Sequence, residues 1–128
     1  MKKEIIMIEG ISKPEGPFNH VIKAGGFLFL TSQLSCDLKT NRIIGGTIED
    51  QTRMALDNAK FLLQASGSSM RDVVKVVIYM RDLSKFRDMD TVYREYFGVG
   101  EEPARVTIQA ASPIEKIDIE VDVTAIAS

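Results

Sequence analysis

The feature that most constrains the fold is the presence of two stretches, Val73 to Met80 (VVKVVIYM) and Ile117 to Ala125 (IDIEVDVTA). The first is rich in β-branched residues and almost continuously apolar, which is the pattern of a strand covered on both faces. The second alternates, with Ile117, Ile119, Val121 and Val123 pointing one way and Asp118, Glu120, Asp122 and Thr124 the other. A chain carrying both must build a sheet, and three carboxylates line one face of its last strand.

The other elements fit around that sheet. Phe27 to Leu30, inside the stretch Gly26 to Leu34, reads as a buried strand, and an extended segment around Asn19 to Lys23 pairs with it. Thr47 and Asp50 have capping-box spacing and open a helix whose positions Ile48, Thr52, Ala55, Ala59 and Leu62/Leu63 recur at helical intervals, with Gly67 as its stop. Ser84 is placed to cap a second helix with Phe86, Met89, Tyr93 and Phe97 on one stripe and Gly98 at its end. After Pro103, Ala104 to Ala110 alternates, setting Val106 and Ile108 against Arg105, Thr107 and Gln109.

The order strand, strand, helix, strand, helix, strand, strand makes an α+β fold with two helices on one face of a sheet of about five or six strands. The opposite face is left bare. Since Val73 to Met80 reads as apolar on both sides, that face is expected to pack against copies of the chain in a closed oligomer.

At 128 residues and 45% hydrophobic content, residues 1–128 read as one domain with one core. Sixteen Lys plus Arg against eighteen Asp plus Glu give a formal charge of -2, and no basic block tracks a phosphate backbone. Nucleic acid is therefore a poor partner. The N-terminal apolar stretch is interrupted by Glu4 and Glu9, and no run reaches the ~18 apolar residues of a membrane span. A single cysteine, Cys36, allows no internal disulfide and fits a reducing, cytoplasmic setting.

Several motifs together resemble the RidA/YjgF family of reactive intermediate deaminases: GPF at Gly16 to Phe18, LTSQLS at Leu30 to Ser35, LDNAKFLLQASG at Leu56 to Gly67, DVVKVVIYMRDL at Asp72 to Leu83, PARVTIQ at Pro103 to Gln109, and IDIEVDVTAIA near the end. The resemblance covers nearly the whole chain. It implies a chorismate-mutase-like α+β fold, a homotrimer whose sheets form a central barrel, and clefts between subunits. It also implies hydrolysis of 2-iminopropanoate and 2-iminobutanoate to 2-keto acids and ammonia, with no cofactor. Arg105 falls on the family arginine and Glu120 on its water-positioning glutamate. Phe18, Thr31 and Thr107 stand where tyrosine, serine and cysteine are common, and these departures bear on substrate preference.

The chemistry agrees with those assignments. A 2-imino acid carries a carboxylate beside its electrophilic carbon, and Arg105 offers a planar, bidentate, permanently charged clamp. Read without the resemblance, Arg105 is a strand-surface residue in a weak ion pair. Glu120 is the candidate to hold the attacking water and take its proton, against a plain solvated face shared with Asp118 and Asp122. If the last two strands pair as a hairpin, Glu120 lies near Thr107 and shares a cleft with Arg105. Thr31 and Thr107 are candidate hydrogen-bonding residues or β-favouring filler, and Phe18 is an apolar wall or a packing residue. His20 and Cys36 are single residues of their kind, insufficient for a zinc site or a Cys-His pair.

Two further functions stand beside the enzyme: a trimer that binds a small carboxylate or keto acid and regulates a partner without turnover, and a ribonuclease, for which no His pair is available.

Overall fold

The computed structural model describes residues 1–127. The strands are β1 (Glu4–Ile6), β2 (Val21–Ala24), β3 (Phe27–Leu30), β4 (Cys36–Asp37), β5 (Arg42–Ile43), β6 (Val73–Met80), β7 (Ala104–Gln109) and β8 (Ile119–Ile126), and the helices are α1 (Ile48–Ala65) and α2 (Phe86–Tyr93). Six strands form one sheet in the order β1-β2-β3-β8-β6-β7, while β4 and β5 make a separate two-stranded ribbon. Among the described residues only β6 and β7 run parallel, joined by the crossover that contains α2. The result is the expected α+β fold with two helices against a six-stranded mixed sheet.

Local signals account for α1. The Thr47 hydroxyl accepts from the Asp50 amide at 3.1 Å, and the Asp50 carboxylate accepts from the Thr47 amide at 3.3 Å. Substituting such a cap typically costs ~1 kcal/mol. The face bearing Thr52, Ala55, Leu56, Ala59, Leu62 and Leu63 is buried against the sheet. Gly67, at φ +84°, takes the left-handed conformation just past the helix.

The second helix differs from expectation at both ends. Asp82, not Ser84, is the capping side chain: it accepts from the Ser84 amide at 2.9 Å in a 3-10 turn, and α2 starts at Phe86 with no side-chain cap. The helix ends at Tyr93, before Gly98, although Phe97 continues the buried stripe with Met89 and Tyr93.

The core lies between the helices and one face of the sheet, centred on Leu28, Val76, Ile78, Val121 and Val123. The other face is uncovered within the chain. On β3, Leu28 and Leu30 point inward while Phe27 and Phe29 are 41% and 46% exposed, so this strand is buried on one side only. The same holds for β6, whose Val76, Ile78 and Met80 are buried while Val77 and Tyr79 look out half-exposed. On β7 the alternation is present as read: Val106 and Ile108, each 42% exposed, face the bare side, and Arg105 and Thr107 face the helices. Apolar alternation marks two faces without stating which one a helix covers.

Candidate functional site

The predicted residues fall into two groups. The first is built where the chain leaves β3. The Thr31 amide donates to the His20 carbonyl at 2.9 Å, and Gln33 exchanges two backbone hydrogen bonds with Val121, at 2.7 and 2.8 Å. The buried Gln33 amide side chain donates to the Thr31 carbonyl at 2.9 Å, which stiffens this short segment. Pinned beside β8, the segment brings the Ser32 hydroxyl to donate to Glu120 Oε1 at 2.7 Å.

Glu120 looks into a cavity of about 420 Å³ that also carries Thr31, Ser32, Tyr79, Ser112 and Asp122. Burial pushes the Asp122 carboxyl above its ordinary range. The far wall is the loop between β7 and β8, held by Arg81. Its Nη2 donates to the Ile117 carbonyl at 2.9 Å, and its Nε lies 3.5 Å from Asp118 Oδ1. Asp118 also accepts from the Gln51 side chain at 3.1 Å, so it is a structural clip rather than the third member of a solvated carboxylate face.

A second cavity of about 230 Å³ shares Thr31 and Ser32 with the first and has Phe18 and His20 on its wall. The half-exposed Phe18 ring lies over Gly16, where a Cβ would come within 2.7 Å of it. Glycine is what lets the ring lie down there. His20 Nε2 bonds the Ser12 carbonyl at 2.9 Å, and His20 is not among the residues that line Glu120's cavity. Burial, then Asp37, push the Cys36 thiol upward, which disfavours a thiolate.

Arg105 and Thr107 form the second group. Arg105 stands opposite Val76 and Thr107 opposite Ile78, both on the helix side of the edge strand β7. Arg105 Nη1 donates to Asp90 Oδ1 at 2.6 Å, and its guanidinium carbon lies 4.6 Å from the Tyr93 ring centre and 5.4 Å from that of Phe86. Burial raises the Asp90 carboxyl, but the hydrogen bonds from Arg105 and Arg94 more than offset it and hold the group below its ordinary range. Burial pushes the Tyr93 phenol up to about 12, so the ring stays neutral beneath the cation. A cavity of about 430 Å³ opens beside Asp90, Tyr93, Arg94, Glu102 and Arg105.

The expected hairpin between the last two strands does not form. Strand β6 separates β7 from β8, and Glu120 pairs with Tyr79 on the bare face. Within one chain Glu120 therefore shares its surroundings with Thr31 and, through the adjoining cavity, Phe18, but not with Arg105 or Thr107. Two residues of these groups escaped sequence reasoning. Ser32 was visible only as part of LTSQLS, because nothing local shows that it meets Glu120. Asp90 left a clearer signal, a carboxylate at helical spacing between Phe86 and Tyr93.

The family model described as Endoribonuclease L-PSP matches residues 10–127. The chain is 44% identical to a RutC family protein of Pyrococcus horikoshii, over 96% of this chain and 97% of that one. It is 32% identical to a protein of Dermatophagoides farinae named 2-iminobutanoate/2-iminopropanoate deaminase, covering 94% and 93%. Among solved structures, that of E. coli TdcF with bound serine superposes with a TM-score of 0.85 at 26% identity, covering 98% and 99%. By family match, by relatives across nearly its whole length and by fold, the chain belongs to the RidA/YjgF family.

Proposed function

We propose that the protein hydrolyses reactive 2-imino acids, 2-iminopropanoate and 2-iminobutanoate among them, to 2-keto acids and ammonia. In this reading Glu120 holds a water, accepts its proton as the oxygen adds to the imine carbon, and returns a proton as the carbon-nitrogen bond breaks. Arg105 binds the substrate carboxylate, and Thr31, Thr107 and Phe18 shape the rest of the site.

The observation that carries the reading is the Ser32–Glu120 hydrogen bond in an open cavity. A carboxylate with one oxygen fixed by a hydroxyl at 2.7 Å keeps the other for water. The deaminase name of the D. farinae relative and the serine held by E. coli TdcF, an amino acid with a carboxylate, support the substrate class.

Since Arg105 and Glu120 lie on opposite sides of the sheet, the complete site is read as one between copies. The bare face supplies the means, with Phe29, Val106 and Ile108 exposed on it. Packing of three such faces into a barrel would bury them and bring the edge strand β7 of one copy to the β3–β8 region of the next. This trimer is part of the proposal.

The test is ammonia release from imines generated in place by a threonine dehydratase. Acceleration by wild type, absent in Arg105→Ala, supports the enzyme. Saturable binding of 2-oxobutanoate with no acceleration would favour the alternative, a carboxylate-binding trimer that regulates a partner.

A further inference from the structure

We infer that Asp90 is a positioning residue for Arg105, fixing the guanidinium through one oxygen so that its Nε and Nη2 edge is left for a substrate carboxylate. The inference rests on the deaminase reading of Arg105 and deepens it.

A bidentate clamp works only if its fork is held in one plane, and an arginine on its flexible stem is not held by itself. Here α2 supplies the holder. Phe86, Asp90 and Tyr93 recur at helical spacing on one face of that helix, and Arg105 lies along them. The two rings set the tilt of the guanidinium. The 2.6 Å bond from Nη1 to Asp90 Oδ1 sets its rotation within that plane.

The contact is single for a visible reason. Asp90 Oδ2 accepts from Arg94 Nε at 2.9 Å, so the two carboxylate oxygens are shared between two arginines and Arg105 receives one of them. Among the described residues the guanidinium donates no other hydrogen bond, and its side chain keeps 24% of its surface open. An arginine fully engaged by an internal carboxylate would bind substrate poorly. One held at a single corner is oriented and still free along an edge.

The experiment titrates 2-oxobutanoate into wild type, Asp90→Ala and Asp90→Asn by calorimetry and pairs each with KM and kcat for 2-iminobutanoate. Asp90→Ala is expected to weaken binding and raise KM by about tenfold or more, with kcat within about threefold of wild type. Asp90→Asn keeps an acceptor oxygen and is expected to recover most of the loss. Equal binding by Asp90→Ala and wild type would overturn the inference, as would Asp90→Asn performing no better than Asp90→Ala. If Asp90→Ala does not fold, the wild-type Arg105 Nε–Hε resonance decides: it shifts on adding 2-oxobutanoate if that edge receives the carboxylate, and an unmoved signal overturns the inference. Binding lost in Arg105→Ala but kept in Asp90→Ala removes only the role of Asp90, whereas a wild type that binds no 2-oxobutanoate removes the deaminase reading with it.

Discussion

Glu120 and Arg105 leave the sheet from opposite faces: Glu120 pairs with Tyr79 on the bare side, and Arg105 pairs with Val76 on the helix side. With the deaminase reading, each cleft must then take its arginine from one copy and its glutamate from another. Co-expressed Arg105→Ala and Glu120→Gln chains, each inactive alone, are expected to regain activity, with about a quarter of the sites intact if copies mix at random. No recovery from verified mixed oligomers would place the whole site in one chain.

Glu120→Gln keeps the shape of the side chain but cannot take a proton. Turnover is expected to fall by about 10² to 10⁴ with KM little changed, the range usual for losing a general base. Steady-state ammonia release checks it, and a KM effect alone would recast Glu120 as a binding residue.

Arg105→Lys retains charge without the planar fork. Because a charge-assisted hydrogen bond contributes roughly 1.5–3 kcal/mol, kcat/KM is expected to drop about 10- to 100-fold while the far-UV circular dichroism is unchanged. Wild-type kinetics in this variant would end the bidentate role.

The two perturbed carboxylates have opposite linkage to pH. Asp90 titrates below its ordinary 3.8, so its stabilisation is present above that value and is lost as pH falls through the lowered one. Asp122 titrates above 3.8, so its burial lowers stability as pH rises from that value, and at neutral pH the cost is in place. Asp122→Asn is expected to raise the Tm at pH 7 and to change it little near pH 3, measured by scanning calorimetry. A lower Tm at pH 7 would mean that the ionised form has a partner supplied by the assembly.

Ile108→Lys puts a charge on the bare face where wild type is 42% exposed. If that face packs against other copies, light scattering should report dissociation to a folded monomer with imine hydrolysis lost. An intact oligomer would move the interface elsewhere.

Reading the chain alone gave the elements better than their surroundings. Thr47 and Asp50 mark the start of α1 because a capping box is a local device, complete within four residues. The second helix misled because Ser84 and Asp82 are both good caps, and only the 3-10 turn decides between them. Arg105 and Glu120 were each singled out, but their separation depends on β6 lying between β7 and β8, a non-local pairing without sequence signature. The exposed Phe27 and Phe29 looked like core because an apolar residue is the same whether its own chain or a copy covers it.

The position of β8 decides how the sheet closes. This final strand lies in the interior of the sheet, between β3 and β6, joining Phe27 to Ile126 and Val76 to Val123. Without it β2–β3 and β6–β7 are two separate pieces whose inner edges have no strand to pair with. Closure of the sheet is thereby tied to this one strand, and a chain in which β8 is unpaired presents two open strand edges to its neighbours.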